Sequence, residues 1–174
     1  VSRGDRVAVL AENSLEHVLL FVACQKAGFV LVPLTYRLTG PELAYLVADA
    51  DPAAVFASEA YASAVETPTE PLASVREMAS GDGFSERLAS GAERPSLDAP
   101  LFLLYTSGTT GRPKGAIYTH RMLVWNAVNT MHRLSLTPED VSFNAAPFYH
   151  TGGWNVLLTP FLLTGGRANV HPEE

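Results

Sequence analysis

A segment rich in glycine and hydroxyl groups contains the side chains best suited to chemistry. It spans residues 105–115 and reads Tyr-Thr-Ser-Gly-Thr-Thr-Gly-Arg-Pro-Lys-Gly. Glycines allow backbone N–H groups to approach an anion closely, and hydroxyls donate further hydrogen bonds to phosphate oxygens. Lys114 adds a mobile positive charge that can follow a polyphosphate. The composition favours a phosphate-binding loop, and the alternative is a solvated glycine-rich turn between two strands.

The spacing within this candidate phosphate loop excludes two common nucleotide-binding motifs. A P-loop NTPase needs Gly-Lys-Ser or Gly-Lys-Thr at the start of a helix, whereas Lys114 lies between Pro113 and Gly115. A dinucleotide-binding fingerprint needs G-x-G-x-x-G, which Gly108 and Gly111 do not fit. The loop therefore belongs to another class if it binds phosphate.

A second candidate segment spans residues 146–154 and reads Ala-Pro-Phe-Tyr-His-Thr-Gly-Gly-Trp. Its histidine, His150, is predicted at a junction between a strand and a helix, where functional side chains concentrate in α/β folds. A structural histidine that caps the helix is the alternative. His17, His120 and His132 are predicted on helices, and the histidines and single cysteine show no metal-ligand spacing.

The elements that must position these segments follow a strand–helix rhythm. This rhythm predicts an α/β fold with parallel or mixed sheets flanked by helices. The predicted strands are residues 7–10, 29–34, 53–57, 101–105, 117–119 and 141–145. Two predicted helices begin at Asn13 and Thr39, each with Glu three residues later. Three further helices are predicted over residues 72–79, 120–134 and 151–164. Residues 60–98 are rich in Pro, Ser, Glu and Gly and are expected to form a surface excursion.

The composition limits the partners and the compartment. Hydrophobic residues make up 47% of the 174 residues, which is typical of a globular chain. A formal net charge of −6 argues against nonspecific binding to nucleic acid or to anionic membranes. No apolar run is long enough for a transmembrane segment. Cys24 is the single cysteine, so no internal disulfide can form and the cytoplasm is expected.

The candidate phosphate loop closely resembles the phosphate-loop signature of the adenylate-forming superfamily. This superfamily contains the acyl-CoA synthetases, firefly luciferase and the adenylation domains of nonribosomal peptide synthetases. Further resemblances to the family lie at residues 4–8, 13–14, 26–28, 32–34 and 119–121. The resemblance implies that residues 1–174 are a fragment of the N-terminal AMP-binding domain and that the C-terminal domain is absent.

The resemblance assigns expected roles to individual residues. The loop residues expected to bind the phosphates of ATP are Thr106, Ser107, Gly108, Thr109, Thr110, Gly111 and Lys114. Thr110 is also expected near Mg²⁺. His150 would lie beside the reacting carboxylate and gate access for the thiol of coenzyme A. Gly153 and Trp154 are expected along the pocket for the acyl group.

The function that the resemblance implies is an ATP-dependent carboxylate–CoA ligase, which forms acyl-AMP and then acyl-CoA. No Asp lies between Phe143 and Leu163, which argues against an amino-acid adenylation domain. The Tyr-Gly-x-Thr-Glu motif of the family is also absent. We therefore expect residues 1–174 to be inactive without the remainder of the same enzyme. A non-catalytic homologue that binds a nucleotide or a partner is the alternative, and the acid and the oligomeric state are left open.

Overall fold

Six strands of the chain form one mixed sheet. The computed structural model describes residues 2–81, 94–106 and 112–172. The six strands are β1 Arg6–Leu10, β2 Val30–Leu34, β3 Ala54–Ala57, β4 Glu70–Pro71, β5 Pro100–Thr106 and β6 Lys114–Thr119. Their order is β4-β3-β1-β2-β5-β6, and every neighbouring pair is parallel except β5 with β6, which is antiparallel. The mainly parallel pairing follows from the helical crossovers between successive strands.

Helices cover the sheet, and a separate pair of strands follows it in the chain. The helices are α1 Leu15–Ala27, α2 Gly40–Ala50, α3 Ser74–Ser80, α4 His120–Leu134, α5 Thr151–Asn155 and α6 Thr159–Thr164, with a 3₁₀ turn at Ala62–Ala64. The separate pair, β7 Val141–Asn144 and β8 Arg167–Val170, is parallel. The predicted α/β fold with mixed sheets and flanking helices is confirmed. No helix in the described ranges has both the length and the apolar character needed to cross a membrane.

Alternation along the strands divides the core into two layers. On β1, Val7 and Val9 pack with α1 on one side of the sheet, which we call the α1 face. Ala8 and Leu10 pack with α2 on the opposite side, the α2 face. Burial on both faces explains why the central strands are almost continuously apolar.

The region expected to be a surface excursion is mostly exposed where it is described, but two of its residues enter the core. Among residues 60–81, Leu72 and Val75 are 3% and 5% exposed and join the cluster on the α1 face. Their segment forms β4 and α3, which the weak periodicity of this polar stretch only partly predicted. The single helix expected over 151–164 is also wrong, because α5 ends at Asn155 and α6 begins at Thr159.

The first helix begins one residue later than the sequence predicted. Ser14 is its N-cap, because the Ser14 hydroxyl accepts a hydrogen bond from the backbone N–H of His17 at 3.1 Å. Asn13 was expected in this role, but its side chain turns away from the helix. At α2 the expected pairing is present: Glu42 accepts hydrogen bonds from the backbone N–H and the hydroxyl of Thr39, at 2.8 and 2.7 Å.

Candidate functional site

The candidate phosphate loop joins the two strands of a hairpin. Thr106, the last residue of β5, is the register partner of Lys114, the first residue of β6, and both are exposed. Between them, the predicted phosphate-binding residues Ser107, Gly108, Thr109, Thr110 and Gly111 lie outside the described residues. The return strand is longer than the expected 117–119, since it begins at Lys114. The hairpin brings the two ends of the loop together at the carboxyl end of β5.

Alternation assigns Thr106 and Lys114 to the α1 face. Leu104 is buried in the core of the α1 face, and Tyr105 packs against the core of the α2 face. The next residue, Thr106, therefore returns to the α1 face. Lys114 is directly opposite Thr106, so its side chain leaves the sheet on the same face.

A contact from β6 connects this face to the helix that follows His150. Tyr118 lies four residues after Lys114, on the same face, and packs against the α1-face core. Its hydroxyl donates a hydrogen bond of 3.1 Å to Oδ1 of Asn155, the last residue of α5. Burial raises the pKa of Tyr118, which keeps this hydroxyl protonated and able to donate. The two candidate segments therefore lie on the same face of one sheet.

The segment of residues 146–150, which we call the His150 segment, is fastened to the end of β1. The side-chain amide of Asn13 donates to the carbonyl of Ala146 at 2.9 Å and accepts from the N–H of Phe148 at 2.8 Å. His150 itself is exposed and immediately precedes α5, for which it is the N-cap position without a side-chain cap bond. The capping role considered for His150 is therefore wrong.

Trp154 and Gly153 pack against the backbone of the His150 segment. Trp154 is fully buried, stacks on Phe148 with ring centroids 4.3 Å apart, and donates from Nε1 to the Phe148 carbonyl at 2.6 Å. A Cβ on Gly153 would lie 2.7 Å from the carbonyl oxygens of both Ala146 and Pro147. The described structure thus gives both residues a packing role, and their expected place along an acyl pocket stays a prediction.

His17 is a further residue of this neighbourhood. Its ring is 1% exposed and makes edge contacts with Phe148 and Trp154, at centroid distances of 5.3 and 5.5 Å. Burial lowers the pKa of His17 to about 4, opposed by a hydrogen bond to the carbonyl of Glu12. His17 is therefore neutral at physiological pH and belongs to the packing beneath the His150 segment.

Aromatic rings connect the carboxyl end of β2 to the same segment. Tyr36, two residues beyond β2, stacks on Tyr61 at 5.0 Å and meets Tyr149 edge-on at 5.6 Å. The Tyr61 hydroxyl donates to Glu12 at 2.7 Å, and this hydrogen bond is the main reason that the pKa of Tyr61 rises to about 12. The carboxyl ends of β1, β2 and β5 therefore all border the candidate site, as expected for ligand binding in α/β sheets.

A cavity of about 600 Å³ lies beside the base of the candidate phosphate loop, on the side of α2. Its lining includes Thr35, Tyr45, Tyr105 and Arg112, and Thr106 borders it from the end of β5. The Tyr105 hydroxyl donates to Asp49 at 2.6 Å, and burial together with this bond raises the pKa of Tyr105. His150 does not contribute to the lining, so the cavity and the His150 segment are separate features of the described residues.

The described part of the candidate phosphate loop consists of the residues at its two ends. The exposed hydroxyl of Thr106 and the ammonium group of Lys114 can both contact a phosphate. Within the described ranges, no group of three or more His, Cys, Asp or Glu side chains is placed to hold a metal ion. The expected Mg²⁺ contact, Thr110, lies outside these ranges. Phosphate binding and Mg²⁺ binding by this loop both stay predictions.

Comparison with known families identifies the chain. The family model described as AMP-binding enzyme matches residues 1–174. The chain belongs to the AMP-binding enzyme family. The expectation drawn from the resemblance of the loop is thereby confirmed.

Three curated relatives of this AMP-binding chain are named as acid–CoA ligases or synthases. The indoleacetate–CoA ligase of Aromatoleum aromaticum is 35% identical, over 99% of this chain and 36% of the relative. The feruloyl-CoA synthase of an Amycolatopsis species is 37% identical, over 98% of this chain and 34% of the relative. The long-chain-fatty-acid–CoA ligase FadD13 of Mycobacterium tuberculosis is 31% identical, over 91% of this chain and 33% of the relative. The chain spans about a third of the length of these relatives.

Solved structures agree with the family assignment. ATP-bound MatB from Rhodopseudomonas palustris matches 100% of this AMP-binding chain and 36% of its own, with a TM-score of 0.78 and 30% identity. VinN in complex with L-aspartate matches 97% of this chain and 48% of its own, with a TM-score of 0.79 and 28% identity. The arrangement of β1 to β6 with their helices is therefore the arrangement found in this family.

Proposed function

We propose that these residues form the ATP-phosphate-binding part of an ATP-dependent carboxylate–CoA ligase. The observation that carries the proposal is the placement of Lys114 and the His150 segment on the same face of one sheet, within a chain of the AMP-binding enzyme family. The relatives named as CoA ligases supply the reaction class. The proposed substrates are a carboxylic acid, ATP and coenzyme A.

The proposed reaction has two steps. In the first, a carboxylate oxygen attacks the α-phosphorus of ATP, so that acyl-AMP forms and pyrophosphate leaves. In the second, the thiol of coenzyme A attacks the acyl carbon, the thioester forms, AMP leaves and the thiol proton passes to solvent. The role of the protein in the first step is to offset phosphate charge and to align the carboxylate with the leaving pyrophosphate.

Each candidate residue has a proposed task in these steps. Lys114 and the hydroxyl of Thr106 bind the β- and γ-phosphates at the loop end of the hairpin, together with residues 107–111. The His150 side chain borders the acyl carbon and the path of the thiol. Mg²⁺, if bound near Thr110, would supply further positive charge to the phosphates. We also propose the cytoplasm as the location.

The test is carboxylate-dependent exchange of pyrophosphate into ATP by the full-length protein from the same gene. The acids offered would include indoleacetate, ferulate, a long-chain fatty acid and several amino acids. We expect exchange with one class of acid, and Lys114→Ala should lower the exchange rate by about 100-fold because a phosphate contact is lost in the transition state.

The chain offers a matched control for this substitution. Lys26 is the other lysine and lies exposed on the last turn of α1. Lys26→Ala removes the same charge at a position outside the loop. The exchange rate should stay within about twofold of wild type, since surface substitutions away from a site usually have small effects. Equal losses in the two variants would contradict the role proposed for Lys114.

A non-catalytic homologue that binds a nucleotide or a partner is the second candidate function. It is favoured if the folded full-length protein binds ATP but catalyses no exchange with any acid. Binding measured by calorimetry alongside the exchange assay separates the two functions, because only the ligase requires turnover.

A further inference from the structure

Asn13 makes the two side-chain hydrogen bonds that join the end of β1 to the His150 segment. Its amide contacts Ala146 and Phe148, which are 133 and 135 positions away in the chain. The side chain uses both of its functions, since Nδ2 donates to one carbonyl and Oδ1 accepts from one N–H. Asn13 is 5% exposed, so water does not compete freely for these bonds.

The helix that follows does not need Asn13. Ser14 caps α1, and the side-chain amide of Asn13 forms its hydrogen bonds with the His150 segment rather than with the first turn of the helix. A residue that served only to start α1 would direct its side chain to that turn. The orientation of the Asn13 side chain therefore indicates a role in holding the His150 segment.

The backbone of the His150 segment also makes local hydrogen bonds, in addition to the ring contacts of Phe148 with His17 and of Tyr149 with Tyr36. The N–H of His150 donates to the carbonyl of Pro147 at 3.1 Å, and the carbonyl of His150 accepts from Gly153 at 3.2 Å. Nε1 of Trp154 donates a hydrogen bond to the Phe148 carbonyl. These bonds set the shape of the segment but join it only to residues within a few positions. Asn13 connects that shape to the central strand of the sheet.

We propose that Asn13 is a positioning residue, which fixes the backbone of residues 146–148 on the end of β1 and thereby sets the place of His150 relative to Lys114. The kinetic part of this inference rests on the proposed function. The reason is geometric: β1 is central in the sheet that carries the hairpin, and Asn13 lies three residues beyond its end, so the bonds of Asn13 relate the His150 segment to the sheet that carries Lys114.

The kinetic test is a double-mutant cycle in the full-length protein, with thioester formation as the readout. Asn13→Ala should lower kcat by about 10- to 100-fold, since small misplacements in a site have effects of this size. Its effect in a His150→Ala background should be under threefold, because the residue that it positions is gone. The KM for ATP should stay within about twofold in Asn13→Ala, since the hairpin is untouched.

Ser14→Ala is the matched control for this cycle. It weakens the same turn of the chain, at the neighbouring residue, without contact to the His150 segment. Its kcat should remain within about twofold of wild type at a temperature where the variant is folded. The proposal is overturned if Asn13→Ala loses the same factor with and without His150, or if Ser14→Ala reproduces its loss.

A second measurement tests the positioning without any activity. The amide of Phe148 donates to Asn13 and belongs to a residue that is 1% exposed, so its hydrogen exchange should be slow. Asn13→Ala should speed exchange at Phe148 by at least tenfold relative to Leu104, and Ser14→Ala should not. Unchanged protection at Phe148 would overturn the inference. If the wild-type protein catalyses no reaction, the proposed function fails and this measurement still decides the role of Asn13.

Discussion

Gly152 and Gly153 are neighbours after His150, but only one of them has room for a side chain. A Cβ on Gly153 would lie 2.7 Å from two backbone carbonyl oxygens, whereas a Cβ on Gly152 has nothing within 4 Å. Backbone atoms cannot move aside as the end of a flexible side chain can. Gly153 therefore permits the close contact between α5 and the His150 segment.

Gly153→Ala should lower the free energy of unfolding by about 1–3 kcal/mol, because the new methyl group overpacks against Ala146 and Pro147. Gly152→Ala is the control and should be neutral or stabilise the protein by about 0.5–1 kcal/mol, since alanine favours a helix. Urea unfolding of both variants measures the difference. Equal free energies of unfolding would mean that the segment shifts to accept the methyl group.

Residue types alone predicted some of the candidate site and missed the rest. The exposed Lys114 and His150 were selected by their chemistry and local spacing. Asn13 was taken for a helix cap and His17 for an ordinary helix residue. Their contacts with Phe148 join positions more than 130 residues apart, and no local pattern carries that information. Cys24, by contrast, lies on the apolar stripe of α1, and burial raises its pKa to about 12.

At the scale of elements, the first turn of α1 packs against Trp154 of α5. His17 supplies the contact with Trp154, and its Nε2 has no hydrogen-bond partner within the described residues. A protonated imidazole would place a charge between two aromatic rings and away from water. The contact between the two helices therefore requires His17 to be neutral.

This requirement predicts an acid-dependent loss of stability. The pKa of His17 falls from 6.5 to about 4 on folding, so the unfolded chain binds the proton more tightly. Stability is complete above pH 6.5 and is lost as the pH falls toward 4. Between pH 7 and pH 5 the loss attributable to His17 should be about 2 kcal/mol.

Urea unfolding at the two pH values measures this loss, with His17→Leu as the reference. All other ionisable groups are the same in both proteins, so their contributions cancel in the comparison. The stability difference between pH 7 and pH 5 should be smaller in His17→Leu by the amount given above. The same pH dependence in both proteins would assign the effect to other groups.

At the scale of the whole molecule, the carboxyl edge of one sheet brings the two candidate segments together. The hairpin follows β5, Asn13 follows β1, and Tyr36 follows β2, so three strand ends meet at this edge. Lys114 and His150 are both exposed in the described structure. Catalysis of the proposed type requires water to be excluded from the reacting atoms.

We therefore predict that residues 1–174, purified by themselves, catalyse no carboxylate-dependent exchange of pyrophosphate into ATP. The chain spans about a third of the length of its ligase relatives, and the described residues provide no metal-binding cluster. Circular dichroism establishes that the purified chain is folded before the assay. Turnover above the rate of the Lys114→Ala variant would contradict this prediction.

The sequence by itself determined the alternation of strands and helices, the family and the loop that carries Lys114. These properties are local: apolar periodicity, helix caps and an eleven-residue motif can all be read within short windows. Only the tertiary structure decided that Asn13 binds Phe148, that His17 is buried against Trp154 and that Leu72 and Val75 enter the core. The reason is that such contacts depend on which strand ends and helix faces meet after the sheet forms. Local sequence patterns do not show which distant positions will be in contact.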